Sequence, residues 1–416
     1  MPVVTVAGAN SHTKISLNYD SSSNVLLAQQ LAAAITAGVN NGTLVPASDT
    51  TGSPPPVPAG KSGYFVKTQS GLTTLPTGYT AIVVTAAATA NSPAFWVNGP
   101  SSGVLSVLSD AATNLIFDAG GGSGSVVAGG GNNQISIPGS DNGNWSLNTG
   151  NGDDNIRALG GGNDTIDAGG GRNAIQLGSG NDLITSVGQD QIVGGSGSET
   201  VDATGAVSDL VRGGSSNLYF QGGNGGVTIL GGTGSDTYRG STAGDGTAVV
   251  RGGSAGNNYL FAGGGQTTLF GGGNGDQLFA NGSANQELVA GPGNETLDGS
   301  SSFGKDTFTA GPGKNSILGG SGDDTFVAGA GLSTIDASSA NNTFLFIKGS
   351  AGGSELVQDL ISPSQIKISL SGYGTGEENH ILKSQTPAGM GVTITLSDNT
   401  QVTFENISSI TEANFT

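Results

Sequence analysis

Carboxylates and amides hold most of the chemical potential of this sequence, and many of them stand beside glycine. Asp164 and Asp182 each close a Gly-Asn-Asp triplet, and Asp154, Asp236 and Asp324 follow similar glycine-rich runs. Oxygen-bearing side chains of this kind suit hard cations. Adjacent carboxylates such as Asp153 and Asp154 could in principle do acid–base work. In a glycine-rich turn, however, such pairs are far more often solvated or metal-bound. The pentad GGSAG at 252–256 satisfies Gly-x-Ser-x-Gly, which would make Ser254 a nucleophile. That role needs a strand–turn–helix setting and a histidine partner. The chain has two histidines, His12 and His380, both remote from the pentad in sequence. With this much glycine and serine the pentad is expected by chance. The His-Glu-x-x-His zinc signature does not occur. Trp96 and Trp145 read as packing residues rather than sugar platforms. No catalytic residue is assigned, and the chain is not read as an enzyme.

Composition narrows the partners. The 416 residues include 76 glycines, 13 Lys+Arg and 31 Asp+Glu, for a net charge of −18. Nucleic acid and anionic membranes would be repelled. Cysteine is absent, which excludes a disulfide framework and thiolate chemistry. The opening MPVVTVAGANSHTKISLNYD has no basic segment followed by an apolar one, so it does not read as a Sec-type signal peptide and export is expected to take another route. No apolar run approaches the ~18 residues of a membrane helix, so membrane insertion is not expected.

The candidate carboxylates must be positioned by repeats. Between about 111 and 347 an apolar residue follows each glycine cluster: Ile156, Ile166, Ile175, Ile184, Ile192 and Val201, at steps of 10, 9, 9, 8 and 9. The beat continues less regularly through Val211, Tyr219, Ile229 and Tyr238, and returns from Leu269 to Phe344. A nine-residue beat is too short for helical repeats and fits a parallel β-solenoid. Each nonamer supplies a short strand with inward apolar residues and a tight turn. The turn calls for glycine, both for positive φ and to keep side chains away from the next coil. Residues 1–110 read as a small mixed domain. Its one helix starts at serines 21–23, runs through Leu27, Leu31 and Ile35, and ends at Gly38. Strand-like runs GYFVK, TAIVVTA and AFWVNG follow. Residues 348–416 drop the beat and read as a β-rich cap, with Asp398-Asn399 as a hairpin turn.

The nonamers resemble the RTX repeat of Gram-negative secreted proteins, GGxGxDxUx with U a large apolar residue. GGSGDDTFV (319–327) and GGTGSDTYR (231–239) match throughout. GGGNDTIDA, GSGNDLITS and GNGDDNIRA keep the Gly-x-Asp-x-U heart. The C-terminal run KISLSGYG … ITLSDNTQVTF, with Phe415 near the end, resembles the RTX cap and type I secretion signal. The resemblance covers roughly 111–416. It implies an all-β fold, a right-handed parallel β-roll, with calcium in the turns between one coil and the next, two nonamers on. The ligands it implies are aspartate carboxylates and turn carbonyls about 18 residues apart. Asp164/Asp182 and Asp306/Asp324 meet that spacing, whereas Asp154/Asn173 and Asn173/Asp190 miss it by one. With Asp236, these eight residues are the candidate metal ligands, and calcium at few sites is the expected cofactor. The pattern departs from the family where the aspartate becomes Asn173, Asn217, Asn258, Asn315, Glu199 or Glu295. GGGQTTLFG has no carboxylate at all. An asparagine ladder can join turns without metal.

The expected function is an exported structural protein, outside or on the surface of a Gram-negative cell, that self-associates into a fibre, matrix or surface layer. The alternative is an adhesin or carbohydrate-binding module that uses the solenoid as a spacer towards a cell-surface polysaccharide. The apolar-rich segments VLLAQQLAAAI and VTITLSDNTQVTF could dock into a neighbouring copy or fold back as caps.

Overall fold

Each nonapeptide spends three or four residues on a strand and the rest on a turn, as in Thr165–Asp167 and Asp182–Thr185. Successive nonapeptides feed two sheets in turn. Ile166 pairs with Ile184 and then Val201 in one sheet, while Ile156 pairs with Ile175 and then Ile192 in the other. These apolar residues face inward and are at most 2% exposed, so two nonapeptides make one coil. The computed structural model describes residues 2–10, 12–85, 94–110, 113–244, 246–338 and 340–416. Ala86, the last residue of the TAIVVTA run, and residues 111–112, where the repeat region was expected to begin, lie outside the described residues. The chain divides into two units, Met1–Ser216 and Asn217–Thr416. Each carries a parallel β-solenoid, and helices are few.

In the first unit the parallel pairing starts before the nonapeptide beat. Leu44–Ser48 pairs with Ser62–Lys67, followed by Tyr79–Val84 and Val104–Ser109. Phe65, Ile82 and Val107 stack inside. The opposite face of the same strands is also covered. Tyr64, Val66, Ala81, Val83 and Leu108 join one core with Val4, Val6 and Leu17 of the hairpin Val3–Ala7/Lys14–Asn18 and with the helix Ser22–Asn40. Burial on both faces explains the continuous apolar runs, which a half-exposed strand would break by alternation.

The helix begins as expected, with the Ser21 side chain accepting from the Asn24 N–H at 3.2 Å. Its buried stripe is Asn24, Ala28, Ala32, Ile35 and Gly38, with Leu27 and Leu31 half-buried beside it. Gly38 does not end the helix, which runs to Asn40. Gly38 is needed for packing: a Cβ there would lie 2.7 Å from Leu44 Cδ1. The chain leaves the helix at Gly42, φ 73°.

In the second unit the inner stack is aromatic. Phe308, Phe326 and Phe344 lie 5.4 and 5.5 Å apart with nearly parallel rings, and Phe404 meets Phe344 edge-on. One position differs from the sequence reading. Tyr219 was placed on the inward beat, but it is 40% exposed and Phe220 faces in, paired with Tyr238. Counted from Gly213, Phe220 is the eighth residue, the apolar position of the motif, and Tyr219 the seventh, and a one-residue shift exchanges the two faces of a strand.

The C-terminal segment closes this unit. Gln401–Phe404 adds in parallel to Ser354–Gln358, and Gly391–Thr395 folds back antiparallel on it, with Asn399 in the turn at φ 69°. Val392, Ile394, Leu396, Val402 and Phe404 are buried, so VTITLSDNTQVTF is folded on its own chain. Phe415 bridges to Ile368. A short helix, Glu377–Ser384, was not anticipated. Its buried Glu377 accepts from the Ser397 N–H and hydroxyl at 2.7 and 2.6 Å.

Candidate metal centre

The turns are built by close approach more than by unusual φ. A Cβ on Gly180 would lie 1.6 Å from the Gly162 carbonyl oxygen, and one on Gly322 equally close to Gly304 O. Neither Gly180 nor Gly322 is in the left-handed region. Positive φ accounts for some turn glycines, such as Gly150 and Gly169, but at Gly180 and Gly322 the backbone of the neighbouring coil leaves no room for a side chain.

The sixth residue of each repeat lies within this crowding. Asp154, Asp164, Asn173, Asp182, Asp190, Asp236, Asp306 and Asp324 are each 1–3% exposed. The side-chain Oδ1 of one coil accepts from the backbone N–H of the sixth residue one coil earlier. Asp164 N–H donates to Asp182 Oδ1 at 2.8 Å, and Asp306 N–H to Asp324 Oδ1 at 2.9 Å. The pairs that missed the spacing by one residue are in the same kind of column: Asp154 N–H meets Asn173 Oδ1 at 3.0 Å and Asn173 N–H meets Asp190 Oδ1 at 3.2 Å. Asp236 accepts from Leu218 N–H at 3.1 Å and gives its own N–H to Asn258 Oδ1 at 2.7 Å. Asn217 is not a sixth residue. It is the fifth, exposed, and its Oδ1 accepts from Ser235 N–H at 2.9 Å.

That fifth position forms a second ladder that the sequence reading missed. Asn144 accepts from Asn163 N–H, Asn163 from Asn181 N–H, and Asn181 from Ser198 N–H, at 2.8–3.1 Å. Its side chains reach forward along the chain, whereas those of the sixth position reach back. Asn133, Asp209, Asp276 and Gln286 also belong to the sixth-position columns. Asp209 follows AVS instead of glycines, so only its distance of 19 residues from Asp190 could have marked it.

Electrostatics sets these carboxylates apart from solvated ones. Burial pushes the Asp154 and Asp164 carboxyls up to about 7, against the opposing hydrogen bonds from the Asn133 and Trp145 backbone N–H groups. Burial raises Asp209, Asp236 and Asp324 to about 6, and it also raises Asp182, Asp190 and Asp306. One oxygen in several of them has no donor: Oδ2 of Asp154, Asp209, Asp236 and Asp306 is buried without a hydrogen-bond partner. A buried anionic oxygen without a partner is costly. Turn carbonyls crowd the same space, so this donor set fits a divalent cation that takes oxygen ligands. Asp324 differs, since its Oδ2 accepts from Gly320 N–H at 2.9 Å.

Ser254 lies in a turn that leads into the strand Tyr259–Phe261, not into a helix. Trp145 packs on Phe117 and donates its ring N–H to Asp141 at 3.0 Å, while Trp96 is 48% exposed. Among the described residues no helix is long and apolar enough to cross a membrane.

The profile of the RTX calcium-binding nonapeptide repeat matches four copies, at residues 148–184, 253–278 and 300–335. No curated protein and no solved structure matches the chain. The matched segments contain Asp154, Asp164, Asn173, Asp182, Asn258, Asp276, Asp306 and Asp324, so the motif and the buried turn columns coincide. The chain carries RTX calcium-binding nonapeptide repeats in these segments.

Proposed function

We propose that the protein is an exported structural solenoid of an extracellular matrix or surface layer, with calcium fixing its turns. The supporting observation is where the chemistry is spent. The sixth-position carboxylates point into the turns and bond the neighbouring coil, so they serve cohesion rather than a substrate. The ends bear on how such a protein assembles. Pro46 lies in the first strand of the stack, Leu44–Ser48, and has no N–H to offer an incoming strand. At the C-terminal end the sheet runs on from Gln401–Phe404 through Gly391–Thr395 to the short antiparallel strand Thr386–Ala388, whose Pro387 likewise has no N–H. Assembly is therefore assigned to the outer faces of the coils and not to joined strand edges. Light scattering and negative-stain microscopy at rising concentration, with and without calcium, test this. Laterally associated layers or bundles in calcium are expected, and a monodisperse monomer at high concentration in both conditions would sink the reading.

A second reading, a carbohydrate-binding adhesin, draws on one feature of the second unit. Tyr219, Tyr259, Phe261 and Phe279 point outward from three strands of one sheet, with the strand of Arg239 between the first two. The Tyr259 and Phe279 rings are 4.7 Å apart, and the Arg239 guanidinium lies over Tyr259 at 5.7 Å. Flat rings beside a cation suit stacked sugars. Retention on immobilised polysaccharide that Tyr259→Ala abolishes would favour this reading over the first.

Export is assigned to the C-terminal segment. A chain lacking 348–416 is expected to stay inside the cell. Normal secretion of that chain would exclude a C-terminal signal.

A further inference from the structure

The sixth-position amides do more than continue the ladder. Asn133 is 1% exposed. Its Nδ2 lies 3.0 Å from Gly129 O, 2.7 Å from Gly131 O, 3.2 Å from Thr149 O and 3.0 Å from Asp154 Oδ1. Four oxygens thus surround one nitrogen that carries only two hydrogens. Three are carbonyls from two successive turns and the fourth is a carboxylate, the ligand chemistry a hard cation gathers. Gln286 repeats the arrangement, with Nε2 at 2.9 Å from Gly263 O, 2.7 Å from Asn281 O and 3.5 Å from Gly265 O. Asn258 Nδ2 lies 2.7 Å from Gly253 O and 2.8 Å from Asp276 Oδ1, and Asn173 Nδ2 lies 3.2 Å from Ala168 O and 2.8 Å from Asp190 Oδ1.

We propose that asparagine and glutamine at the sixth position are built-in substitutes for the divalent cation, so that their turns close without metal while the carboxylate turns take calcium. One amide does two jobs. In the asparagines its oxygen continues the ladder, as Asn258 Oδ1 does for Asp236 N–H at 2.7 Å, whereas Gln286 Oε1 is buried without a partner and Gln286 does only the second job. The amide NH2 group stands at the centre of the converging oxygens. An aspartate supplies the first function but puts an acceptor among acceptors in the second, which matches the unpartnered Oδ2 atoms of Asp154, Asp236 and Asp306. The order along one column follows: Asn133, Asp154, Asn173, Asp190, Asp209. Amides separate the charges until Asp190 meets Asp209. Calcium is therefore placed where carboxylates are consecutive, at Asp190/Asp209, Asp164/Asp182 and Asp306/Asp324. This inference rests on calcium being the cation of the carboxylate turns.

The test converts amides to carboxylates in the full chain, one per unit: Asn133→Asp and Asn258→Asp. Bound calcium is counted by equilibrium dialysis with elemental analysis, and melting is followed in EDTA and in calcium. Each variant is expected to bind one more calcium per chain than the wild type. Each should melt about 4 °C or more below it in EDTA, since buried acceptors lose their donor, and recover in calcium. Asn133→Ala, which removes the amide and adds no carboxylate, should lose stability equally in both conditions. Unchanged stoichiometry in both Asp variants, or a loss that calcium does not restore in either, overturns the proposal. A variant that folds only when calcium is added supports it. Wild type and variants that all bind no calcium would overturn both this inference and the calcium reading beneath it. A gain in the variants over a wild type that binds none would overturn only the assignment of the native carboxylate turns.

Discussion

Two stretches of the first unit build the same parallel coil by different means. Under the helix Ser22–Asn40 the strands Ser62–Lys67, Tyr79–Val84 and Val104–Ser109 bury apolar residues on both faces, and this side of the coil is held from within and without by packing. Further along, at Asn155–Ala158 through Glu199–Ala203, only the inner face is apolar, and cohesion passes to the turns, to glycine contacts and side-chain ladders. The contrast shows that a coil of this width can be stabilised through its flat sides or through its corners. Only the corner solution makes it answer to metal and pH.

The largest expected effect probes the corners. Gly180→Ala puts a methyl group 1.6 Å from Gly162 O and should cost about 3 kcal/mol or more, because backbone must move to admit it. Gly103→Ala, at φ 104° with nothing within 4 Å of the new atom, should cost only about 1 kcal/mol of backbone strain. Urea unfolding of the two variants compares them directly, and equal losses would erase the distinction.

Calcium removal comes next, and the two tryptophans report the two stretches separately. The Trp145 backbone N–H donates to Asp164 Oδ1 at 2.8 Å, while Trp96 is on the strand Phe95–Asn98. In Trp96→Phe the remaining fluorescence should shift on chelation, and in Trp145→Phe it should not. A site saturated a hundredfold above Kd adds about 2.7 kcal/mol, so the Trp96→Phe signal should melt several degrees lower in EDTA. Identical behaviour of both reporters would show that the stretches melt as one.

The pH response sharpens the same comparison. Asp154 and Asp164 have folded-state pKa values raised to about 7, above the ~4 of an unfolded aspartate. Between those values the folded state holds more protons, so the stability of the metal-free protein falls as pH rises from about 4 to about 7. In EDTA it should melt higher at pH 5 than at pH 8. In calcium the order should reverse, since protons compete with the cation for the same oxygens. A flat profile in EDTA would mean that these carboxylates are solvated.

The smallest effect tests the flat-sided stretch. Ser21→Ala removes the cap of the Asn24 N–H and should cost about 1 kcal/mol. The calcium dependence of the Trp145 signal should stay unchanged.

Legibility in the sequence followed the same division. The nonapeptide coils were readable because glycine spacing and one inward apolar residue suffice to define them, and Asp164/Asp182 and Asp306/Asp324 emerged as paired residues. The earlier coils had no motif to read, since strands buried on both faces lose their alternation. Tyr219 was misplaced because two adjacent aromatics offer two registers, and only Phe220 is the eighth residue from Gly213 and faces in. Gly38 was read as a terminator because sequence does not reveal that Leu44 will pack on it. The fifth-position asparagines passed as ordinary turn residues. Their partners are backbone N–H groups one coil away, and no local pattern encodes that distance.

The opposed ladders have a consequence for how a column can end. Where fifth-position side chains accept from the following coil and sixth-position side chains from the preceding one, each open face of a turn shows one free acceptor and one free donor. The side-chain dipoles of the two rows point in opposite senses and largely cancel along the stack. A new coil can therefore add at either face by the same pair of bonds, with no charge gradient growing as the stack lengthens. Only the final coil needs a partner from outside the pattern. In the second unit one such column ends on Asn342, itself a sixth-position residue, whose Oδ1 takes the Asp324 N–H at 2.8 Å, just before the chain turns away to form its cap.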